Sequence, residues 1–358
     1  MSDLPHNRID DVRIARLRPV LPPAILIEQL PLGADAETFV YSSRREVNAI
    51  LHGMDDRMLV VVGPCSIHDV DAARAYAERL AGVEKGLSDA LLLVMRVYFE
   101  KPRTRVGWKG LINDPHLDGS FRINEGLRRA RQLLLDIACL RLPAATEFLD
   151  LLSPQYIADL IGWGAIGART TESPSHRQLA SGLSCPIGFK NGTDGSVQMA
   201  ADALIACRAP HAFMGMTKTG QVAVFETAGN EDCHIILRGG SQGSNYEATH
   251  IAAACALLHK AGVTERVMVD CSHANSQKDW RRQLDVAEDL ARQIQGGERR
   301  IMGLMIESHL KPGRQDLKPG VPLEHGVSIT DGCIGWEQTD TVLRCLAHAV
   351  QKRMSLGE

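Results

Sequence analysis

From residue 51 onward the chain alternates short apolar runs with stretches whose apolar positions recur every three to four residues. The first pattern suits strands buried on both faces, and the second suits helices that cover them. Eight runs read as strands: residues 59–63, 92–97, 145–149, 165–169, 187–190, 234–238, 267–270 and 302–306. The helical stretches are residues 70–80, 123–137, 154–161, 196–206, 248–260, 279–294 and 339–351. Ser153-Pro154 and Ser173-Pro174 each read as an N-cap followed by a first-turn proline. Eight strand–helix units in roughly 300 residues predict an α/β chain folded as a (β/α)8 barrel of the TIM type. A doubly wound sheet has the same rhythm and is the alternative, because counting strands does not show closure. Two segments fall outside the rhythm. Residues 1–50 are irregular up to a helix near 42–51, with Leu21-Pro22-Pro23 as a turn or cap, and read as an N-terminal extension to a barrel over 51–358. Residues 212–216 and 222–227 flank Thr217-Lys218-Thr219-Gly220 and read as an inserted β-hairpin, about 211–227.

Composition narrows the class without naming a function. Lys and Arg total 40 against 43 Asp and Glu, a net charge of −3, which lacks the basic surplus a general nucleic-acid binder needs. No apolar run reaches the roughly 18 residues of a membrane span, and the N-terminus has no signal-peptide core. Nine cysteines, an odd number without zinc-finger or CxxC spacing, point to reduced thiols in a cytoplasmic protein.

The chemistry gathers at the C-terminal ends of the strands. Reading each run to its end gives Cys65, Arg96, Glu147 with Asp150, Arg169, Lys190, Arg238, Asp270 with His273, and Glu307. A barrel brings these to one face, where the loops build an active site, although single charges also mark a chain leaving a core. Arg96, Lys101, Arg169, Lys190 and Arg238 would repel one another in an empty pocket, so a phosphorylated and carboxylated substrate is expected. Arg103 and Thr104, after Lys101-Pro102, add donors for a second phosphate. Gly239-Gly240 would let backbone N–H groups approach an oxyanion. Cys65, His273, Glu307 and Asp331 make a mixed S/N/O set suited to a divalent transition metal, though no local spacing motif joins them, and a buried inert Cys65 is the plainer reading. His68 and His309 read as partners behind these ligands or as solvated loop residues.

Longer motifs carry a resemblance. Gly63-Pro64-Cys65-Ser66-Ile67-His68-Asp69, residues 96–108 (RVYFEKPRTRVGW), 167–173 (GARTTES), 188–195 (GFKNGTDG), 234–240 (HIILRGG) and 272–275 (SHAN) closely resemble the type I 3-deoxy-D-arabino-heptulosonate 7-phosphate (DAHP) synthases. The likeness runs from about Asp10 to Ala349. It implies condensation of phosphoenolpyruvate with erythrose 4-phosphate and water, the entry step of the shikimate pathway. It also implies one divalent metal ion (Mn favoured among Mn, Fe, Co, Zn and Cu) on Cys65, His273, Glu307 and Asp331. Arg96, Lys101, Arg169, Lys190 and Arg238 would hold phosphoenolpyruvate, with Asp331 beside the substrates. Lys101, Pro102, Arg103 and Thr104 would contact erythrose 4-phosphate. Lys101, Arg96, Lys190 and His273 are the candidate catalytic side chains, with Lys101 the proton donor to the forming alkoxide.

The resemblance further implies feedback inhibition by an aromatic amino acid near the hairpin. The matching positions are Phe148, Gln155, Leu179, Leu183, Ser184, Phe213, Gly215 and Phe225, with Asp10 and Asp11 reaching across a subunit interface of a homodimer or homotetramer. Residues 1–50 would then serve oligomer and effector contacts. Gly215 lacks a side chain and leaves room for a ring hydroxyl, which favours tyrosine. No nucleic-acid or membrane partner is expected. The competing readings are a 3-deoxy-octulosonate 8-phosphate synthase, a Schiff-base aldolase using Lys190, and a catalytically idle sensor of aromatic amino acids.

Overall fold

A computed structural model of the chain describes residues 9–103, 107–318 and 320–356. Two helices, α1 (Pro23–Gln29) and α2 (Ala34–Leu51), precede β1 (Met58–Gly63). The chain continues through α3 (Val70–Glu84), β2 (Leu91–Arg96), α4 (Ile123–Cys139), β3 (Ala144–Glu147), α5 (Pro154–Ile157) and β4 (Trp163–Ile166). Next come α6 (Pro174–Gly182), β5 (Ile187–Lys190), α7 (Val197–Arg208), β6 (Ala212–Met216) and β7 (Val222–Glu226). It ends with β8 (Cys233–Leu237), α8 (Ala248–Lys260), β9 (Val267–Asp270), α9 (Gln283–Gln295), β10 (Ile301–Glu307) and α10 (Trp336–Ser355).

Strand order decides between the two predicted architectures. The eight long-range strands pair in the ring β1-β10-β9-β8-β5-β4-β3-β2, all parallel, and β1 closes on both β10 and β2. The fold is a (β/α)8 barrel. Alternate residues of each strand face opposite ways. Leu59 and Val61 of β1, with Leu92 and Val94 of β2, join Trp163, Ile236, Met268, Met302 and Met305 in an apolar interior. Val60, Val62, Leu93 and Met95 point outward into the layer of helices. The hairpin β6–β7 is a separate antiparallel pair, with Phe213 opposite Phe225.

The N-terminal segment is more regular than its pattern suggests. Of the turn-or-cap reading of Leu21-Pro22-Pro23 the cap holds: Pro22 is the N-cap of α1 and Pro23 its first-turn proline. Helix α2 begins well before residue 42 and buries Val40, Ser43, Val47, Ile50 and Leu51. Ser42-Ser43 and the charged Arg44-Arg45-Glu46 interrupt the apolar stripe and hide the helical period. Val47, Ile50 and Leu51 belong to the barrel interior itself. Arg44 Nε bonds the carbonyl of Ile161 and Arg266 the carbonyl of Ile50, both at strand starts, so α2 stoppers the N-terminal mouth of the barrel.

Elsewhere the strands match closely in place and differ at their ends, whereas the helix expected over 154–161 is α-helical only to Ile157 and then a 3-10 turn, and α6 occupies a stretch for which the pattern gave only its cap. β3 and β4 stop at Glu147 and Ile166, so the chain has already turned when it reaches Leu149 and Arg169. Ser173 is a working N-cap, its hydroxyl facing the His176 N–H. Ser153 is not: its backbone is already helical, and its hydroxyl donates to Glu100 instead.

Candidate active site

Two strand ends and one loop bring a compact donor set together. Cys65 follows β1, Glu307 ends β10, and Asp331 enters from the loop before α10. One donor atom from each lies within 4.8 Å of the others. Burial pushes the Cys65 thiol up to about 11, with Glu307 adding to the shift and Lys101 opposing it. The Cys65 thiol faces Asp331 Oδ2 at 3.6 Å, and S/O/O donors suit a borderline transition metal, which deprotonates a coordinating thiol. His273 lines the same cavity as Asp331 but stands outside this set of three. Its Nδ1 lies 2.8 Å from Asp270 Oδ2 and 2.7 Å from Ser272 Oγ, and its backbone sits in the left-handed region at φ 59°.

Cations surround this set. Arg96 is buried in a pair with Glu307, Nη2 to Oε1 2.9 Å, and its guanidinium stacks 3.6 Å over the Tyr98 ring. Lys101 Nζ is 3.2 Å from Cys65 Sγ and donates to the Cys65 carbonyl at 3.3 Å. Burial alone would lower the Lys101 ammonium, but Cys65 and Glu307 outweigh it and keep the proton on Nζ. Lys190 pairs with Asp270 at 2.8 Å, both buried. A cavity of about 150 Å³ is lined by Arg96, Lys101, Pro102, Arg103, Arg169, Lys190, Arg238, His273 and Asp331. Every predicted substrate residue therefore meets there except Thr104, which lies outside the described residues.

Some of the machinery had no assigned role in the sequence. Asp270 stands in no predicted ligand set, yet it clamps Lys190, Ser272 and His273. Burial would raise its carboxyl, but His273 and Lys190 hold it well below the usual range. Its three-residue offset from His273 at a strand end was the available signal. Asn191, Asn245 and Asn275 form a buried net: Asn191 Oδ1 accepts the Arg238 N–H at 2.8 Å and Asn245 Oδ1 the Gly239 N–H at 2.7 Å. The Gly239-Gly240 expectation is corrected accordingly. Both N–H groups are consumed inside the protein, that of Gly240 by the Gly243 carbonyl. Gly240 serves close packing, since a Cβ there would lie 2.2 Å from Gly195 N. His68 and His309 are buried rather than solvated, their rings edge to face at 6.3 Å.

Comparison with known proteins adds the family. The model of the DAHP synthetase I family matches residues 33–344. The chain belongs to the DAHP synthetase I family. It is 58% identical over 344 residues to the Phe-sensitive phospho-2-dehydro-3-deoxyheptonate aldolase of Escherichia coli K12, covering 96% of this chain and 98% of that one. It is 52% identical to the tyrosine-inhibited enzyme of Schizosaccharomyces pombe, covering 97% and 95%. The structure of the phospho-2-dehydro-3-deoxyheptonate aldolase of Francisella tularensis SCHU S4 superposes with a TM-score of 0.93 at 51% identity, covering 95% and 99%. As a member of the DAHP synthetase I family the chain is a DAHP synthase, and metal dependence is general to that family.

A second cavity in this DAHP synthase, about 610 Å³, opens beside the hairpin. Gln155, Leu179, Leu183, Ser184, Phe213, Gly215 and Phe225 line it, as expected. Phe148 does not; it packs in the core, where a Cβ on Gly164 would meet its ring at 2.4 Å. Asp10 and Asp11 lie in the exposed arm and do not line the cavity of their own chain. The room ascribed to Gly215 is already filled: a Cβ there would lie 2.6 Å from the Phe225 ring, which stacks on Phe213 with centroids 6.0 Å apart. Among the described residues no helix is long and apolar enough to cross a membrane, and all nine cysteines are free thiols.

Proposed function

We propose that the chain condenses phosphoenolpyruvate with D-erythrose 4-phosphate and water, giving 3-deoxy-D-arabino-heptulosonate 7-phosphate and phosphate, under feedback from an aromatic amino acid. The observation that carries the reading is one cavity lined by six cations beside the Cys65–Glu307–Asp331 set, of which Cys65 and Glu307 are buried. Cys65, Glu307 and Asp331, with His273 from the same cavity, would hold one divalent metal, manganese favoured, which when bound supplies Lewis acidity toward an aldehyde oxygen. The chain's own residues do the rest. Arg169, Arg238 and Lys190 neutralise the phosphate and carboxylate of phosphoenolpyruvate. Pro102 and Arg103 border the same space and orient the sugar phosphate. As C3 of phosphoenolpyruvate attacks the aldehyde carbon, Lys101 gives its proton to the forming alkoxide. Water adds at C2 and gives up a proton, and phosphate leaves by C–O cleavage, its negative charge met by Arg96 and Lys190. Asp270 keeps Lys190 and His273 in register throughout.

The hairpin cavity is the effector site in this reading, supported by its Phe213–Phe225 stack and by curated relatives named Phe-sensitive, Trp-sensitive and tyrosine-inhibited. Tyrosine remains the favoured effector. The polar wall of Ser181, Ser184 and Thr227, rather than space at Gly215, is what would receive a ring hydroxyl. Steady-state activity of chelated protein, restored metal by metal with and without each aromatic amino acid, tests the whole reading. No product with any metal sinks the activity; stronger inhibition by phenylalanine or tryptophan sinks the tyrosine assignment. Borohydride trapping of an adduct on Lys190 would support the Schiff-base alternative instead.

A further inference from the structure

We propose that Ser153 is a positioning residue that ties the hairpin cavity to the substrate loop through its hydrogen bond to Glu100. The inference rests on the effector reading of that cavity. A line of direct contacts runs between the two sites. Lys218, in the hairpin turn, donates to the main-chain oxygen of Gln155. Pro154 and Gln155 line the cavity, and Ser153 precedes them at the start of α5. The Ser153 hydroxyl donates to Glu100 Oε2 at 2.9 Å, and the Asp150 N–H reaches the same oxygen at 3.5 Å. Glu100 is followed in the chain by Lys101, whose Nζ touches Cys65. Glu100 also borders, with Lys101, Arg103 and Arg169, an outer cavity of about 340 Å³ that adjoins the catalytic one.

Two details separate this arrangement from ordinary packing. A serine before a first-turn proline normally spends its hydroxyl on the helix N-terminus. Here the N–H groups of Gln155 and Tyr156, which a cap would serve, are met by the Leu152 and Ser153 carbonyls at 3.0 Å each, which leaves the hydroxyl for a partner 53 residues away. The acceptor is also poorly supported otherwise. Glu100 is a buried carboxyl near the like-charged Asp150 and Glu147, which together with burial raise it to about 7. A carboxyl in that setting holds its place only while a donor holds it. Any displacement of α5 by a ligand in the cavity therefore moves the donor on the Glu100 carboxyl, one residue before Lys101.

The test uses the full-length metal-loaded enzyme with phenylalanine, tyrosine and tryptophan as separate probes. Ser153→Ala and Ser153→Val lack the hydroxyl; Ser153→Thr keeps it in the shape of the valine variant. Without amino acid, kcat and KM of all three are expected within about twofold of the parent. Effector Kd from calorimetry should stay within about threefold in each. In Ala and Val variants, the effect of saturating amino acid on kcat/KM should fall at least about fivefold, the scale of one relay hydrogen bond, while Thr retains it. Full inhibition of Ala and Val variants, with unchanged binding, overturns the relay alone. A parent enzyme that binds none of the three amino acids overturns the effector reading and the relay with it. If Ser153→Ala does not fold, the Thr and Val pair carries the same decision.

Discussion

Acid should destabilise this barrel through one histidine in its interior. His234 on β8 is buried, and the Trp163 indole N–H donates to its Nε2 at 2.9 Å. An indole can only donate, so Nε2 is the bare acceptor and Nδ1 carries the proton toward the Ile235 carbonyl, 3.1 Å away. Protonation would set two N–H groups against each other in an apolar lumen. Burial lowers the imidazole to about 4, with the Ile235 carbonyl opposing. The sign follows from linkage: between the folded value and about 6.5 the unfolded chain binds more protons, so stability rises with pH across that window and is lost as pH falls through it. The full difference is about 3 kcal/mol, of which about 2 kcal/mol is lost between pH 7.5 and pH 5. Urea unfolding of the parent and His234→Gln, at both pH values and one protein concentration, isolates the contribution, because all other titrations are shared. The parent should lose about 2 kcal/mol more than the variant. Equal losses would show that His234 is already protonated in the fold or that the indole contact is not maintained.

Other outcomes follow from the site and its supports. Lys101→Ala should lower turnover by about a hundredfold or more while metal content by mass spectrometry is unchanged; normal activity would remove Lys101 from proton transfer. Cys65→Ser and Asp331→Asn should each weaken metal binding by at least about tenfold in chelator competition, and unchanged affinity would break the ligand assignment. Arg131 is buried and bonds Leu30 O, Tyr156 O and both oxygens of Asp159. Arg131→Ala should cost about 3–5 kcal/mol in unfolding measurements. Gly215→Ser should displace the Phe225 ring and raise the effector Kd, read by calorimetry; wild-type affinity would mean the ring moves without cost.

The barrel was legible because strands buried on both faces write themselves as plain apolar runs, and seven helices kept a clean period. What escaped were elements whose signal is tertiary. Helix α2 has polar and charged residues breaking its stripe, and its burial is decided by a lumen assembled from strands far along the chain. Strand ends at Glu147 and Ile166 could not be read because the apolar run continues into turns. Within the site, charged residues at strand ends were visible one by one, and the family motifs assigned most of them. The clamps were not. Asp270 reaches Lys190, and the three asparagines reach one another and Arg238, across 30 to 80 residues, a relation no local spacing encodes; only the offset of Asp270 from His273 is local. Ser153 shows the opposite error: its local signature is a helix cap, and a distant carboxyl overrides it.

The stopper formed by α2 divides the first 51 residues into parts with different obligations. Trimming the chain up to residue 33, where the family match begins, removes the arm and α1 but leaves the lumen sealed. Cutting further, through Val47, Ile50 and Leu51, uncorks it and wets Leu59, Val61, Met268 and Met302 from below. The arm and α1 thus lie upstream of the plug, while the hairpin cavity and the catalytic residues all lie downstream of it.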